Sequence, residues 1–254
     1  MLVGISKNRV KISYAEKRYL TLTGDHFFYR SWRSNAPEAV VILLHEFGED
    51  GKRYEKRARM LAEKNIAVYA LDMRGHGEST GDRYHAESLD RLVRDLEIFV
   101  NLVRSKEDPP HFILSKGYSS IIALKYIEKG SADGLILLYP QLKIEDMVHY
   151  LEGFKAKLYD IFLGKKILTL KKDVKISLHL LRDLMKQLRH FRKKKIEIKV
   201  PMLVISETSE IKEQLSAIIK SGEYSLKKID QTGEKSWVEE IYSIIEWINN
   251  VTGE

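Results

Sequence analysis

Residues 109–127, PPHFILSKGYSSIIALKYI, have a pattern that could present a catalytic side chain. The apolar run 111–115 predicts a buried strand, Gly117 marks a tight turn, and the apolar residues of 121–127 recur with helical spacing. A strand, a sharp turn and a helix together lift a nucleophilic side chain above the carboxyl edge of a parallel sheet. The chemistry to test here is therefore nucleophilic catalysis.

This stretch resembles the nucleophile turn of α/β-hydrolases, and within them the monoglyceride lipases and lysophospholipases, where the strand ends in Gly-His-Ser-Met-Gly-Gly. Without gaps, that motif falls on residues 115–120 and places Gly117 at the nucleophile position. The resemblance implies a catalytic turn that has lost its nucleophile. Ser119 is the alternative nucleophile, but it would lie in the first helical turn, where serine more often caps the helix or bonds the backbone.

The segment HEFGEDGKRY, residues 45–54, resembles the family's His-Gly-x-Gly-Glu-x-x-x-x-Tyr. The resemblance implies an oxyanion hole, in which the backbone N–H groups of Phe47 and Tyr118 stabilise developing negative charge. Glu46 replaces the family's first glycine. A carboxylate beside this hole would oppose that charge, so the hole stays usable only if Glu46 points to solvent.

Three further stretches bear on the catalytic set. DMRGHGEST, residues 72–80, matches the family's Asp-x-Arg-Gly-x-Gly-x-Ser turn, whose implied role is architectural. VPMLVISETSE, residues 200–210, places Glu210 at the position of the triad acid, although a Glu near a helix start is also favoured by the helix dipole. The general base should lie in the loop 230–236, DQTGEKS, but no histidine follows His190. Loss of nucleophile or base costs about 10⁴–10⁶ in turnover.

The remaining pattern predicts the elements that position this turn. An opening hairpin is expected around residues 19–32, followed by buried strands at 39–44, 66–71, 111–115 and 134–139 with helices between them. Residues 141–196 contain two amphipathic helical stripes and no strand-like run, and strand and helix patterns then resume from residue 201. We predict an α/β-hydrolase fold with a mostly parallel sheet and helices on both faces. Residues 1–140 and 197–254 would form the core, and 141–196 a helical cap.

Composition limits the compartment and the cofactors. The chain has 254 residues, 44% of them apolar and 31% charged, and no cysteine, which predicts a folded protein of a reducing, cytoplasmic compartment. We see no apolar run of membrane-spanning length and no signal peptide. Abundant Lys, Arg and Glu resemble thermophile usage. No metal-ligand spacing is present, and no cofactor is expected.

The basic charge is concentrated in the predicted cap. Residues 141–196 carry 15 Lys and Arg against 6 Asp and Glu, whereas the rest of the chain is nearly balanced. The run Arg192, Lys193, Lys194 and Lys195 is the densest part of it. It is either an ordinary solvated helix face or a surface for an anionic membrane or a partner protein. Nucleic-acid binding is not expected, because aromatic residues do not alternate with the basic ones.

These observations leave three hypotheses about function. The first is a weak or inactive relative of carboxylic ester hydrolases that keeps a pocket for a small apolar, lipid-like ligand. The second is an active serine esterase that uses Ser119 with an atypical base. The third is a non-catalytic protein that acts through the basic cap. The sequence does not specify the oligomeric state.

Overall fold

A computed structural model of the protein describes residues 10–143, 145, 166–170, 174–230 and 236–253. The described part contains a large sheet and two small ones. Its strands are β1 (Ser13–Leu20), β2 (His26–Arg33), β3 (Ala39–Leu44), β4 (Ile66–Asp72), β5 (His111–Lys116), β6 (Gly134–Leu138), β7 (Ile167–Thr169), β8 (Lys175–Ser177), β9 (Ile196–Glu197), β10 (Met202–Ser206), β11 (Ile219–Ser221) and β12 (Tyr224–Lys228).

The large sheet has eight strands in the order β1-β2-β4-β3-β5-β6-β10-β12. The first hairpin is antiparallel, and β2 also pairs antiparallel with β4. All other neighbours in this sheet pair in parallel. The strands β3 and β4 are buried along their whole length, as expected of apolar runs in a parallel sheet covered on both faces. The predicted fold class is confirmed.

Helices cover both faces of this sheet. They are α1 (Glu55–Ala62), α2 (Leu89–Arg104), α3 (Ser120–Ile127), α4 (Leu178–Lys193), α5 (Ile211–Ile218) and α6 (Ser236–Thr252). Buried residues of α2, α3, α4 and α5 share one apolar cluster, and those of α1 and α6 share the other. The side chains of β5 alternate between them, with Ile113 in the first cluster and Phe112 and Leu114 in the second.

The second helical stripe of the insertion is confirmed as α4. Its residues Leu181, Leu184 and Leu188 are buried, and the Ser177 hydroxyl caps its first turn by accepting from Leu180 N. The helix is tied to the core, because Lys125 Nζ of α3 donates to Gln187 Oε1 at 2.8 Å. The predicted first stripe, residues 144–154, lies outside the described residues except for residue 145.

The expectation that residues 141–196 contain no strand was wrong. The strands β7 and β8 form an antiparallel hairpin, and β9 pairs in parallel with β11. The hairpin is closed by Leu170 N donating to Val174 O at 2.7 Å. These strands have two or three residues each, so no alternating pattern long enough to reveal them exists in the sequence. None of the described helices is long and apolar enough to cross a bilayer.

Candidate functional site: the turn after β5

Gly117 lies at the tip of the turn between β5 and α3 and begins a short 3₁₀ turn. Its φ is +61°, a left-handed conformation that strains any residue with a side chain. A Cβ at this position would overlap the carboxyl group of Glu46. The turn therefore keeps the geometry of a nucleophile turn, while the space for the nucleophile is filled by another residue.

Glu46 occupies this space because its side chain turns inward at the end of β3. Glu46 Oε1 accepts hydrogen bonds from Phe47 N at 2.8 Å and Tyr118 N at 3.1 Å, and its Oε2 lies 3.2 Å from Tyr118 N. These are the two N–H groups that the sequence assigned to the oxyanion hole. The residue is buried, so the solvent-facing alternative for Glu46 does not apply.

Burial raises the pKa of Glu46 to about 8, although the N–H groups of Phe47 and Tyr118 act in the opposite direction. The carboxyl group is therefore mainly protonated at neutral pH. In both protonation states an oxygen atom accepts from the two N–H groups, so the hole remains occupied.

A polar cluster holds the loop that carries Glu46. Glu49 accepts from Tyr54 Oη at 2.6 Å and from Lys116 Nζ at 3.1 Å. Burial would raise the pKa of Glu49, but Lys116 and Tyr54 outweigh it and hold that pKa below its usual value. Tyr54 Oη also lies 3.4 Å from Glu46 N. Lys116 therefore links the turn to the loop after β3.

The hydroxyl of Ser119 is directed to the backbone. Ser119 Oγ lies 2.8 Å from Lys116 O and 3.3 Å from Leu44 O, and it accepts from Lys116 N at 3.1 Å. The side chain is fully buried. Its neighbours Ser115 and Ser120 are also buried, with their hydroxyl oxygens 3.4 Å apart.

His45 and His76 lie near the turn, and both have a lowered pKa because they are buried. His45 uses both ring nitrogens, since Nδ1 lies 2.8 Å from Glu46 O and Nε2 accepts from Met73 N at 3.0 Å. The pKa of His76 falls to about 3, and its Nδ1 lies 3.0 Å from Arg74 O. The two rings pack against each other as part of the core loops.

Glu210 lies at the start of α5, and its carboxylate forms an ion pair with Lys143 Nζ at 2.7 Å. The side chain is exposed, and its pKa is lowered by Lys143. The other half of the expected acid and base pair would come from the loop after β12, of which residues 231–235 lie outside the described residues. Those positions contain no histidine.

The chain is similar in sequence and in structure to several known proteins. A family model described as serine aminopeptidase, S33, matches residues 35–174, more than half of the chain. The chain belongs to this family. The rat monoglyceride lipase is 34% identical over 122 residues, which cover 46% of this chain and 40% of that protein. A monoacylglycerol lipase of Mycolicibacterium smegmatis is 28% identical over 143 residues, 55% of this chain and 51% of that protein.

The chain thus spans about half or less of these curated relatives. A solved structure of a soluble variant of monoglyceride lipase from Saccharomyces cerevisiae, in complex with a substrate analog, has a TM-score of 0.76 at 16% identity. It covers 98% of this chain and 97% of that one. A crystal structure of the monoacylglycerol lipase from Paleococcus ferrophilus has a TM-score of 0.70 at 19% identity, and the similarity covers 89% of this chain and 99% of that one. The S33-family chain therefore has an α/β-hydrolase fold of the monoglyceride-lipase-like group.

In this S33-family protein the loop 72–80 has an architectural geometry. Asp72 accepts from Arg30 Nη1 at 2.9 Å and from the N–H groups of Gly51 and Glu78 at 2.8 and 3.0 Å. Arg74 donates to Asp95 at 2.7 Å. In the described part of the chain no cluster of histidine and acidic residues has a geometry that could hold a metal ion.

The basic run lies at the end of α4. The side chains of Arg192, Lys193, Lys194 and Lys195 are exposed, and two of them have partners. Arg192 pairs with Glu145 at 3.0 Å, and Lys195 Nζ donates to Ser216 O at 2.6 Å. The residues of the run therefore differ in their contacts, since within the described ranges only Lys193 and Lys194 have no such partner.

The sequence indicated Gly117, Glu46, Phe47 and Tyr118 as residues of the site. It did not predict that the Glu46 carboxyl occupies the oxyanion hole. It also missed the cluster of Glu49, Tyr54 and Lys116. The available signal was the coincidence of two departures, a glycine where a nucleophile is expected and a glutamate where a glycine is expected. The glycine at 117 removes a side chain from this space, and the glutamate at 46 adds one to it.

Proposed function

We propose that this chain is a non-hydrolytic member of its family that binds a small apolar, lipid-like ligand. The observation that carries the loss of hydrolysis is the position of the Glu46 carboxyl on the N–H groups of Phe47 and Tyr118. A substrate carbonyl oxygen would need these same donors during acyl transfer. The Glu46 carboxyl therefore competes with a substrate for these two N–H groups.

The residues around the turn support the same proposal. Position 117 has no side chain, and the hydroxyl of Ser119 is buried and bonded to the backbone. His45 and His76 are buried and poor bases, because desolvation lowers the pKa of both. At the turn after β5, no described serine hydroxyl is hydrogen-bonded to a histidine that could act as its base. The esterase hypothesis that uses Ser119 has no such contact in its favour.

The lipid-like ligand is proposed from the family alone. Relatives of this chain are named monoglyceride lipase, a name that refers to a glyceride, and a solved structure with that name shares the fold. A chain that keeps this fold but lacks the acyl-transfer groups can still bind the acyl chain without cleaving it. Residues 144, 146–165 and 171–173 of the predicted cap 141–196, which would cover such a ligand, lie outside the described residues.

The test is labelling with a fluorophosphonate, which reacts with activated serines, followed by intact-mass and peptide mapping. We expect no adduct on the folded protein under conditions in which an active serine hydrolase, treated in parallel as the control, is fully labelled. Native mass spectrometry of the purified protein should then show a retained fatty acid or glyceride. A stoichiometric adduct on Ser119 or Ser120 would contradict the loss of hydrolysis, and absence of any lipid would contradict the ligand.

One observation favours a second function, which is contact with an anionic surface. From residue 186 to 195 all exposed side chains are basic or histidine: Lys186, Arg189, His190, Arg192, Lys193, Lys194 and Lys195. No acidic residue occurs in this stretch, although Glu145 reaches Arg192 from outside it. Such a face is attracted to anionic lipid headgroups, and the attraction weakens as salt screens it.

Sedimentation with vesicles containing anionic lipid tests this surface. The double variant Lys193→Gln/Lys194→Gln should reduce binding, and the matched control Lys56→Gln/Lys64→Gln, exposed lysines of α1 and the following turn, should not. Binding to neutral vesicles, or equal loss in both variants, would contradict the proposal. The cytoplasmic location of the protein stays a prediction.

A further inference from the structure

A small cavity lies behind the turn, on the side of the sheet covered by α1 and α6. It has a volume of about 90 Å³ at the carboxyl end of β5 and β6. Lys116 reaches this side because it continues the alternation of Phe112 and Leu114, which face α1 and α6. Among the described residues, its polar lining comprises Tyr54, Arg57, Lys116, Tyr139, Ser236 and Glu240.

The acidic groups of this cavity already have their donors. Glu240 accepts from Tyr139 Oη at 2.8 Å and from Arg57 Nε at 3.2 Å. Glu49, which contacts the lining, accepts from Tyr54 Oη and Lys116 Nζ. Both tyrosine protons are therefore directed to carboxylates. The lining carboxylates have little need of a further donor.

The basic groups, in contrast, keep donors to spare. A guanidinium has five N–H groups and an ammonium has three. The hydrogen bonds of Arg57 to described residues involve Nε alone, and Lys116 makes one such bond, to Glu49. Both side chains are a little over a quarter exposed, at 29% and 28%. The unused hydrogen-bond donors among the described lining residues thus belong to Arg57 and Lys116. These donors favour a ligand that is rich in acceptor oxygens.

The start of α6 adds to this preference. Ser236 is the first residue of this 17-residue helix and lies in the cavity wall. The N-terminal end of a helix carries partial positive charge. The cavity therefore faces a helix N-terminus and two side-chain cations, each of which is paired with one carboxylate.

We propose that this cavity binds a small tetrahedral oxyanion, with inorganic phosphate as the fitting species. Arginine and lysine provide the charge-assisted hydrogen bonds that phosphate oxygens accept. A single water needs about 10–15 Å³, so the cavity holds a few waters or one small ion and no acyl chain. The inference does not rest on the proposed function, although Tyr54 of the lining also lies 3.4 Å from Glu46 N.

The experiment measures thermal unfolding of the full chain in sodium phosphate and in sodium chloride of equal ionic strength. Ligand binding to the folded state should raise Tm by roughly 3–6 °C when phosphate is about ten times its dissociation constant. Sulfate should act similarly and acetate less, because acetate has fewer oxygens to share among the donors. Glycerol phosphate separates the two sources of the ligand. A rise with it indicates an organic phosphoester, and a rise with inorganic phosphate alone indicates the free ion.

The test variant is Arg57→Gln/Glu240→Gln, which removes the cation together with the carboxylate it would leave unpaired. The matched control is Arg59→Gln/Glu55→Gln, an exposed pair on the same helix with a 2.9 Å contact. The phosphate shift should vanish in the first and persist in the second. Broadening of the phosphate resonance in ³¹P NMR gives a readout that does not depend on stability. A shift equal in both variants, or no shift and no broadening in the unmodified chain, would overturn the proposal.

Discussion

The carboxyl group of Glu46 lies in the space that a side chain at Gly117 would occupy. Glu46 reaches this space from the end of β3, and its carboxyl replaces two things at once. It fills the volume of a nucleophilic side chain and accepts from the donors of the oxyanion hole. The two positions are 71 residues apart in sequence, yet the inward position of Glu46 is compatible only with glycine at position 117.

We therefore expect Gly117→Ser to destabilise the protein without creating an esterase. A left-handed conformation at a non-glycine residue costs about 1–3 kcal/mol, and overlap with Glu46 adds to that cost. The double variant Gly117→Ser/Glu46→Gly should regain the part of the unfolding free energy that the overlap with Glu46 costs. Urea unfolding of both single variants and the double variant gives this coupling directly.

Gly24→Ser is the control for that cycle. Gly24 has a φ of +84°, but a Cβ there meets nothing within 4 Å. It should therefore show the backbone cost alone and no coupling to Glu46→Gly. A Gly117→Ser variant as stable as Gly24→Ser would contradict the overlap.

The buried carboxyl of Glu46 should also make stability depend on pH. Because its pKa is about 8 in the folded protein and near 4.5 when unfolded, the folded state binds one more proton between these values. Its contribution is fully present below pH 4.5 and is lost as pH rises toward 8, with a slope of up to about 1.4 kcal/mol per pH unit. Glu46→Gln should remove that slope.

Unfolding free energies at pH 5, 6, 7 and 8 test this prediction. The comparison is between the unmodified chain and Glu46→Gln, since other groups contribute equally to both. Glu128→Gln, on an exposed side chain after α3, should retain the unmodified slope. Parallel profiles for the unmodified chain and Glu46→Gln would show that Glu46 does not titrate in this range.

The central sheet could be predicted because its strands are long apolar runs that local pattern reveals. The stretches 39–44 and 66–71 appear in the structure as β3 and β4 with the expected bounds to within a residue. The strands β7, β8, β9 and β11 could not, because each is two or three residues long and exists through pairing with a partner.

The site was predictable in its residues but not in its contacts. The backbone positions of Gly117, Phe47 and Tyr118 follow from a motif, so the sequence indicates them. The direction of the Glu46 side chain depends on whether burial of a carboxyl is offset by hydrogen bonds, which the sequence does not contain. Here two N–H groups and a glycine opposite them make the inward position acceptable.

Ser119→Ala should reduce stability and leave any residual ester turnover unchanged. The hydroxyl is fully buried, and its loss leaves Lys116 N without its side-chain acceptor, a cost of about 1–3 kcal/mol. Ser216→Ala, on an exposed face of α5, is the control and should stay within about 0.5 kcal/mol. Equal stability with lost turnover would instead identify Ser119 as a nucleophile.

The last prediction concerns Asp72, whose oxygens hold two loops against β2. The ion pair with Arg30 is buried, with side-chain exposures of 5% and 0%, and Asp72 also accepts from the N–H groups of Gly51 and Glu78. Asp72→Asn leaves Arg30 without its buried partner, so we expect a loss of about 3–5 kcal/mol in the free energy of unfolding.

The matched control is Glu55→Gln, because Glu55 pairs with Arg59 at the surface with exposures of 41% and 46%. Removing that pair should cost at most about 1 kcal/mol. Urea unfolding followed by circular dichroism compares the two variants on one scale. Similar small losses would mean that the loops after β3 and β4 are held by their own backbone bonds, and that Asp72 does not position the segment carrying Glu46.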